Sequence, residues 1–130
     1  MGVQTYRDLI VWQRAVSLVK KIYELTEVFP KSEKYILVSQ MRRAAVSIPA
    51  NIAEGYARKH RPEYIQFLRI AFGSGAELET HLTVAREIGM LKDMVLAQGT
   101  ETTLNEVMRM LNRLIASLRD PSGYPPVANS

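Results

Sequence analysis

Glu77, Glu79 and His81 are metal-ligating side chains gathered within five residues. Carboxylate-bridged di-iron bundles use Glu-x-x-His pairs on two helices together with further glutamates. Here Glu77 and His81 are four apart rather than three, and no second such pair follows, so the cluster reads as structural. The chain has no cysteine and only two histidines, His60 and His81. That excludes disulfides, thiolate clusters and a cysteine nucleophile, and it leaves too few imidazoles for a multi-histidine metal site. Ser74, in Gly73-Ser74-Gly75, has no base at a spacing that signals nucleophilic catalysis. No phosphate loop, nucleophile elbow or zinc-protease helix motif occurs. Glu54 alone is weak evidence for acid–base work. The expectation is a protein that is not an enzyme, with no catalytic residue, metal or cofactor.

The second kind of chemistry is charge. The formal net charge is +4 on 130 residues. Between Arg42 and Arg69 stand six basic residues, Arg42, Arg43, Arg58, Lys59, Arg61 and Arg69, against two acids, Glu54 and Glu63. This segment holds the whole excess, and the rest of the chain balances. Tyr56 and Tyr64 flank the tightest part of the cluster, where they can stack on unpaired bases. Two readings stand. Basic residues are favoured at a helix C-terminus, which would make the cluster a solvated junction. Alternatively, the six residues bind RNA or DNA through its phosphates, without reading bases, and with an affinity that falls steeply with salt.

Four helices must position these residues. Trp12, Ala15, Val19, Ile22 and Phe29 follow helical spacing, widened by Val11, Leu18 and Leu25. Thr5 and Asp8 resemble a capping box at its start, and Pro30 predicts its end near Phe29. The second helix is predicted to start near Ser32. Its stripe is Val38, Met41, Ala45, Ile48 and Ile52, at spacings of 3, 4, 3 and 4. Pro49 lies inside it and removes a hydrogen bond to Ala45, but the stripe keeps phase, so one bent helix is expected. Gly55 and Arg58-Lys59-His60-Arg61 mark its end. Pro62 is predicted to open the third helix, with the stripe Tyr64, Leu68, Ala71, Gly75, Leu78, Leu82 and Ala85, and Gly89 to stop it. Asp93 caps the fourth, which buries Leu104, Val107, Leu111, Leu114 and Leu118, with Gly99 weakening its first turns.

The expected fold is all-α, an antiparallel up-down-up-down four-helix bundle over residues 1–120, with a flexible C-terminal tail at 121–130 that is rich in helix breakers. Gly73 and Gly75 near one point imply either close approach of a neighbouring helix or a local bend.

At 100° per residue, Gln40, Arg43, Ser47, Asn51 and Glu54 share one face of the second helix, displaced from its apolar stripe. Amides, a hydroxyl and one ion of each sign are unlike the usual Lys/Glu surface. The face is either solvated or an interface, with the Ser74, Glu77 and His81 side of the third helix or with a second subunit.

The run from Gln40 to Gly55, QMRRAAVSIPANIAEG, resembles the signature of the 23S rRNA-intervening-sequence proteins, a four-helix-bundle family. Trp12, Phe29-Pro30, Glu33, Phe67-Leu68-Arg69-Ile70-Ala71-Phe72-Gly73-Ser74 and Glu77-Leu78-Glu79 extend the match over roughly residues 6 to 118. Gly75 departs from the bulkier residue expected there. The resemblance implies a homo-oligomer, a ring-like pentamer. A similar fold serves as the accessory protein of diversity-generating retroelements, which implies nucleic acid and a reverse transcriptase as partners. A modest patch repeated around a symmetry axis becomes a strong positive surface. The alternative is a structural or protein-interaction scaffold that binds no nucleic acid.

Composition sets the remaining bounds. One domain is expected from the length, and 47% hydrophobic residues exclude disorder for most of it. The first residues lack the pattern of a signal peptide, Tyr6 stands where a myristoylation motif needs Ser or Thr, and no apolar run is long enough to span a bilayer. A cytoplasmic protein with no membrane partner is expected.

Overall fold

A computed structural model describes residues 2–120, so the tail at 121–130 lies outside the described residues. Four helices make up the fold: α1 (Ile10–Thr26), α2 (Ser39–Ala57), α3 (Arg61–Glu87) and α4 (Met94–Arg119). No strand occurs among the described residues.

The stripes read from sequence are the core. Leu18, Ile22, Met41, Ile48, Ile52, Leu68, Leu78, Leu104 and Leu111 are all fully buried. Each such side chain contributes about 1.5–3 kcal/mol. Trp12 and Val19 are only half-buried, packed against the edge of that core. The buried hydroxyls of Thr26, Thr100 and Thr103 donate to the carbonyls of Ile22, Leu96 and Gly99 one turn back, so none is left unsatisfied.

The helix starts and stops differ from expectation around α1. The Thr5–Asp8 box is formed, but it closes a separate 3₁₀ turn at Tyr6–Asp8. Leu9 then takes an extended conformation and is completely buried, and α1 starts after it. At the other end α1 stops at Thr26 instead of Phe29. Phe29 still reaches the core, because its N–H bonds to the Thr26 carbonyl at 3.1 Å and turns the chain inward. Ser32 caps nothing. Lys31–Glu33 form a 3₁₀ turn and Lys34–Val38 a π turn that runs directly into α2. The π turn carries one more residue than an α turn. Leu37 and Val38 both face the core from it, while Tyr35 and Ile36 face outward.

α2 passes through Pro49 without a break. α3 begins one residue before Pro62. Gly89 has φ +78°, the left-handed conformation that ends α3. There the Gly89 N–H bonds to the Arg86 carbonyl and the Met90 N–H to the Ala85 carbonyl, a complete Schellman motif. Asp93 caps α4, its carboxylate accepting from the Leu96 N–H at 3.0 Å.

Each helix packs on its chain neighbours, and α4 packs back on α1. Cross-contacts fix the directions. Arg43 faces Glu77, Ser47 faces Ser74, and Gly55 faces Phe67, so residue numbers rise in α2 as they fall in α3. Gly75 faces Met108 and Arg86 faces Glu101, which sets α3 against α4 in the same sense. The α1–α2 and α3–α4 junctions therefore lie at one end of the helices, and the α2–α3 junction lies at the other.

The two glycines of the third helix divide. A methyl group at Gly75 would collide with the Met108 thioether, so Gly75 is a point of close approach to α4. Gly73 meets nothing within 4 Å and is exposed. Gly55 is not a stop but a buried contact inside α2: an added methyl would lie 2.7 Å from the Phe67 Cβ.

Candidate nucleic-acid interface

The polar stripe of α2 turns partly inward, onto α3. The Ser47 and Ser74 hydroxyls are 2.8 Å apart, and the Asn51 amide donates to the Ser47 carbonyl at 2.8 Å and to its hydroxyl at 3.0 Å. Arg43 bonds Gln40 and reaches Glu77 at 3.7 Å. Glu77 also takes the His81 Nε2 at 3.1 Å. The α3 side offered by the sequence, Ser74, Glu77 and His81, is thus the surface that the first part of the stripe meets. Glu54, at its far end, is exposed and pairs with Arg58 at 3.1 Å. Glu77 is thus engaged by both a histidine and an arginine. Among the described residues no three His, Asp or Glu side chains come together as a ligand set.

The six basic residues do not form one patch. Arg42 is drawn into the α1–α2 junction: its guanidinium bonds the Thr26 hydroxyl at 3.0 Å, pairs with Glu27 at 3.5 Å and lies 4.3 Å from the Tyr23 ring centroid. It is sixteen residues from Arg58, about 24 Å along a helix axis. Arg43 lies beside it, held by α3. Arg58, Lys59 and Arg61 do come together, on the short junction between α2 and α3. Arg69 is exposed on α3, about 12 Å further along that helix from Arg61.

The junction is built from the sequence upward. Arg58 ends α2, its guanidinium carbon 5.0 Å from the Phe67 ring centroid, which steadies the aliphatic stem while the head stays in solvent. Lys59 has φ +54°, a left-handed conformation held by its N–H bonding to the Tyr56 carbonyl at 3.3 Å. Glycine is the usual residue there, and a side chain with a Cβ costs about 1 kcal/mol or more. His60 is extended and its carbonyl accepts the Tyr64 N–H at 2.9 Å, starting α3. Glu63 approaches His60 at 3.9 Å. Behind the loop the Tyr56 and Tyr64 rings meet edge to face, centroids 5.8 Å apart, and both are half-buried. Their fit to each other and to the core limits the ring surface they can offer to a base.

A second aromatic–basic group had no signal of its own in the sequence. Tyr6 and Trp12 meet edge to face at 5.3 Å, and the Arg7 guanidinium lies over both rings, 5.3 and 5.8 Å from their centroids. The turn that carries Tyr6 and Arg7 packs on α2. Only a helix register, which spacing within one helix cannot supply, places that group.

The fold and site define a four-helix, all-α protein with a cationic junction at one end. The chain belongs to the 23S rRNA-intervening sequence protein family, whose model matches residues 7–113. A crystal structure of a protein with unknown function from the S23 ribosomal protein family of Bacteroides thetaiotaomicron shares the fold, with a TM-score of 0.72 at 20% identity. That likeness covers 82% of this chain and 98% of the other. No curated protein matches this chain. No helix among the described residues is long and apolar enough to cross a membrane.

Proposed function

We propose that this protein is a non-enzymatic accessory protein that binds the phosphate backbone of RNA or DNA through the α2–α3 junction. The observation that carries the reading is the conformation of Lys59. A left-handed non-glycine residue, flanked by Arg58 and Arg61, puts an ammonium group at the tip of the loop at a cost to stability. Strain of this kind accumulates where a side chain is needed for function. Glu54 and His60–Glu63 leave the junction with a net positive charge, and Arg69 extends the cationic surface along α3. Assembly as a homo-oligomer, a pentamer by resemblance to the family, would repeat the junction and multiply its field. Such a ligand fits a cytoplasmic protein.

A second reading, a scaffold that binds only protein, is favoured by one feature: the strongly exposed apolar side chains at the other end of the helices. A protein partner such as a reverse transcriptase would suit that end under either reading. The deciding experiment is retention of an oligonucleotide at low salt by the wild type and by the Arg58→Glu, Lys59→Glu, Arg61→Glu variant. The proposal expects retention by the wild type, its loss at moderate salt, and its loss in the variant. Equal retention by both proteins would overturn it. No retention by either, with a co-purifying protein, would favour the scaffold.

A further inference from the structure

The group formed by Tyr6, Arg7 and Trp12 stands at the same end as the proposed backbone site. Thr26 and Arg42 mark where the end of α1 meets the start of α2. Counting away from that contact along the two opposed helices brings Trp12 level with Tyr56, next to the last residue of α2. The packing of the Tyr6–Asp8 turn on α2 agrees with this register.

The group is fixed in place by local bonds. The Thr5 hydroxyl accepts the Arg7 N–H at 3.1 Å, and the Gln13 amide donates to the Arg7 carbonyl at 2.8 Å. Asp8 follows Arg7 in the chain, but its Oδ2 accepts the Gln4 and Thr5 N–H groups at 2.9 and 3.2 Å. These bonds hold its pKa below the ordinary carboxylate value, the Gln4 N–H most of all. Asp8 is therefore ionised at neutral pH, with its Oδ2 bonded to the backbone. Arg7 itself is exposed, above two rings that restrict its motion.

A guanidinium held in this way has two uses. Its N–H groups fit a phosphate, and its planar face stacks on a base. In a duplex the base faces are already covered by neighbouring pairs, whereas an unpaired base offers its face freely. Resting on the proposed backbone site, we infer that Arg7, seated on Tyr6 and Trp12, is a stacking platform that makes this end of the molecule selective for single-stranded nucleic acid.

Trp12 is the only tryptophan, so its fluorescence reports on the platform. Oligo-dT and a duplex of the same length are titrated into the full chain at low salt, following anisotropy of the labelled strand and Trp12 emission. Oligo-dT is expected to quench Trp12 and to bind about tenfold or more tightly than duplex, a stacking energy typical of one base. Arg7→Ala is expected to remove that preference, lowering the affinity for oligo-dT about tenfold more than the affinity for duplex. Arg7→Lys, which keeps the charge without the plane, should not restore it. Equal affinity for strand and duplex with unmoved Trp12 emission, in a protein whose binding Lys59→Glu still weakens, would overturn the platform and leave the backbone site standing. Binding of neither ligand would overturn both.

Discussion

The two ends of the helices carry opposite chemistry. At the end with the α1–α2 and α3–α4 junctions stand Val28, Tyr35, Ile36, Ile88, Met94 and Val95, the six most exposed large apolar side chains among the described residues, with Tyr35 and Val95 more than four-fifths exposed. Charges at that end include two tied pairs, Arg42 with Glu27 and Arg86 with Glu101. At the α2–α3 junction the pattern inverts. Aromatic rings are tucked against the fold, Arg7 and Arg58 stand over them, and Lys59 and Arg61 follow Arg58 in the chain. A sequence total of +4 conceals this, because it averages along the chain what the fold separates in space. The comparison teaches that position along the helix axis, more than the number of cations, decides which of them can act together.

Four substitutions sharpen the comparison. The largest effect is expected at the seat of the α2–α3 junction. Gly55→Ala places a methyl group 2.7 Å from the Phe67 Cβ, so it should destabilise by about 1–3 kcal/mol in chemical denaturation, less the gain of up to about 1 kcal/mol from helix propensity. Gly73→Ala, which meets nothing, should stabilise by about 1 kcal/mol in the same assay. A Gly55→Ala protein as stable as the wild type would break the account of this junction as tightly built. A smaller effect, of opposite sign, is expected from Lys59→Gly. Relief of the left-handed conformation should raise stability by about 1 kcal/mol, while oligonucleotide affinity falls and its salt slope drops by about 1. If stability rises and affinity does not fall, the strain at Lys59 has no bearing on binding.

The smallest effect is expected at Asp8. Its folded-state pKa is depressed, so its contribution to stability is present above the unfolded carboxyl value and is lost as pH falls through the folded one. The melting temperature of the wild type should exceed that of Asp8→Asn at neutral pH, and the two should converge below about pH 4. A gap that persists in acid would show that the carboxylate charge is not what closes the Tyr6–Asp8 turn.

How much of this was legible beforehand depends on the range of the forces involved. The four apolar stripes were legible because burial imposes helical spacing on the sequence, and Leu18, Ile48, Leu78 and Leu111 sit where that spacing puts them. The caps at Asp93 and Gly89 were legible because each is a local hydrogen-bond or dihedral requirement. The connection from Glu27 to Val38 was not. Pro30 and Ser32 carry ordinary stop and start signals, but burial of Phe29, Leu37 and Val38 overrides them with a 3₁₀ turn and a π turn. In the site, the polar stripe of α2 was legible from its period, and its contact with Ser74 and Glu77 was one of three readings. Gly55 carries the signal of a stop because glycine commonly ends helices, and only the approach of Phe67 explains it. The separation of Arg42 from Arg58, and the packing of the turn that carries Arg7 on α2, depend on helix direction and register, which no single stretch of sequence encodes.

The central claim is that the α2–α3 end binds nucleic-acid phosphates and the other end does not. It is tested most directly by the salt dependence of oligo-dT binding in three proteins: the wild type, the Arg58→Glu, Lys59→Glu, Arg61→Glu variant, and a control with Lys31→Glu, Lys34→Glu, Lys92→Glu at the opposite end. The account predicts that log K for the wild type falls linearly with log salt, and that the junction variant binds more weakly with a slope shallower by about 2, the value for three lost contacts to a single strand. The control should keep the wild-type slope. A junction variant indistinguishable from the wild type, or a control that loses as much, would contradict it.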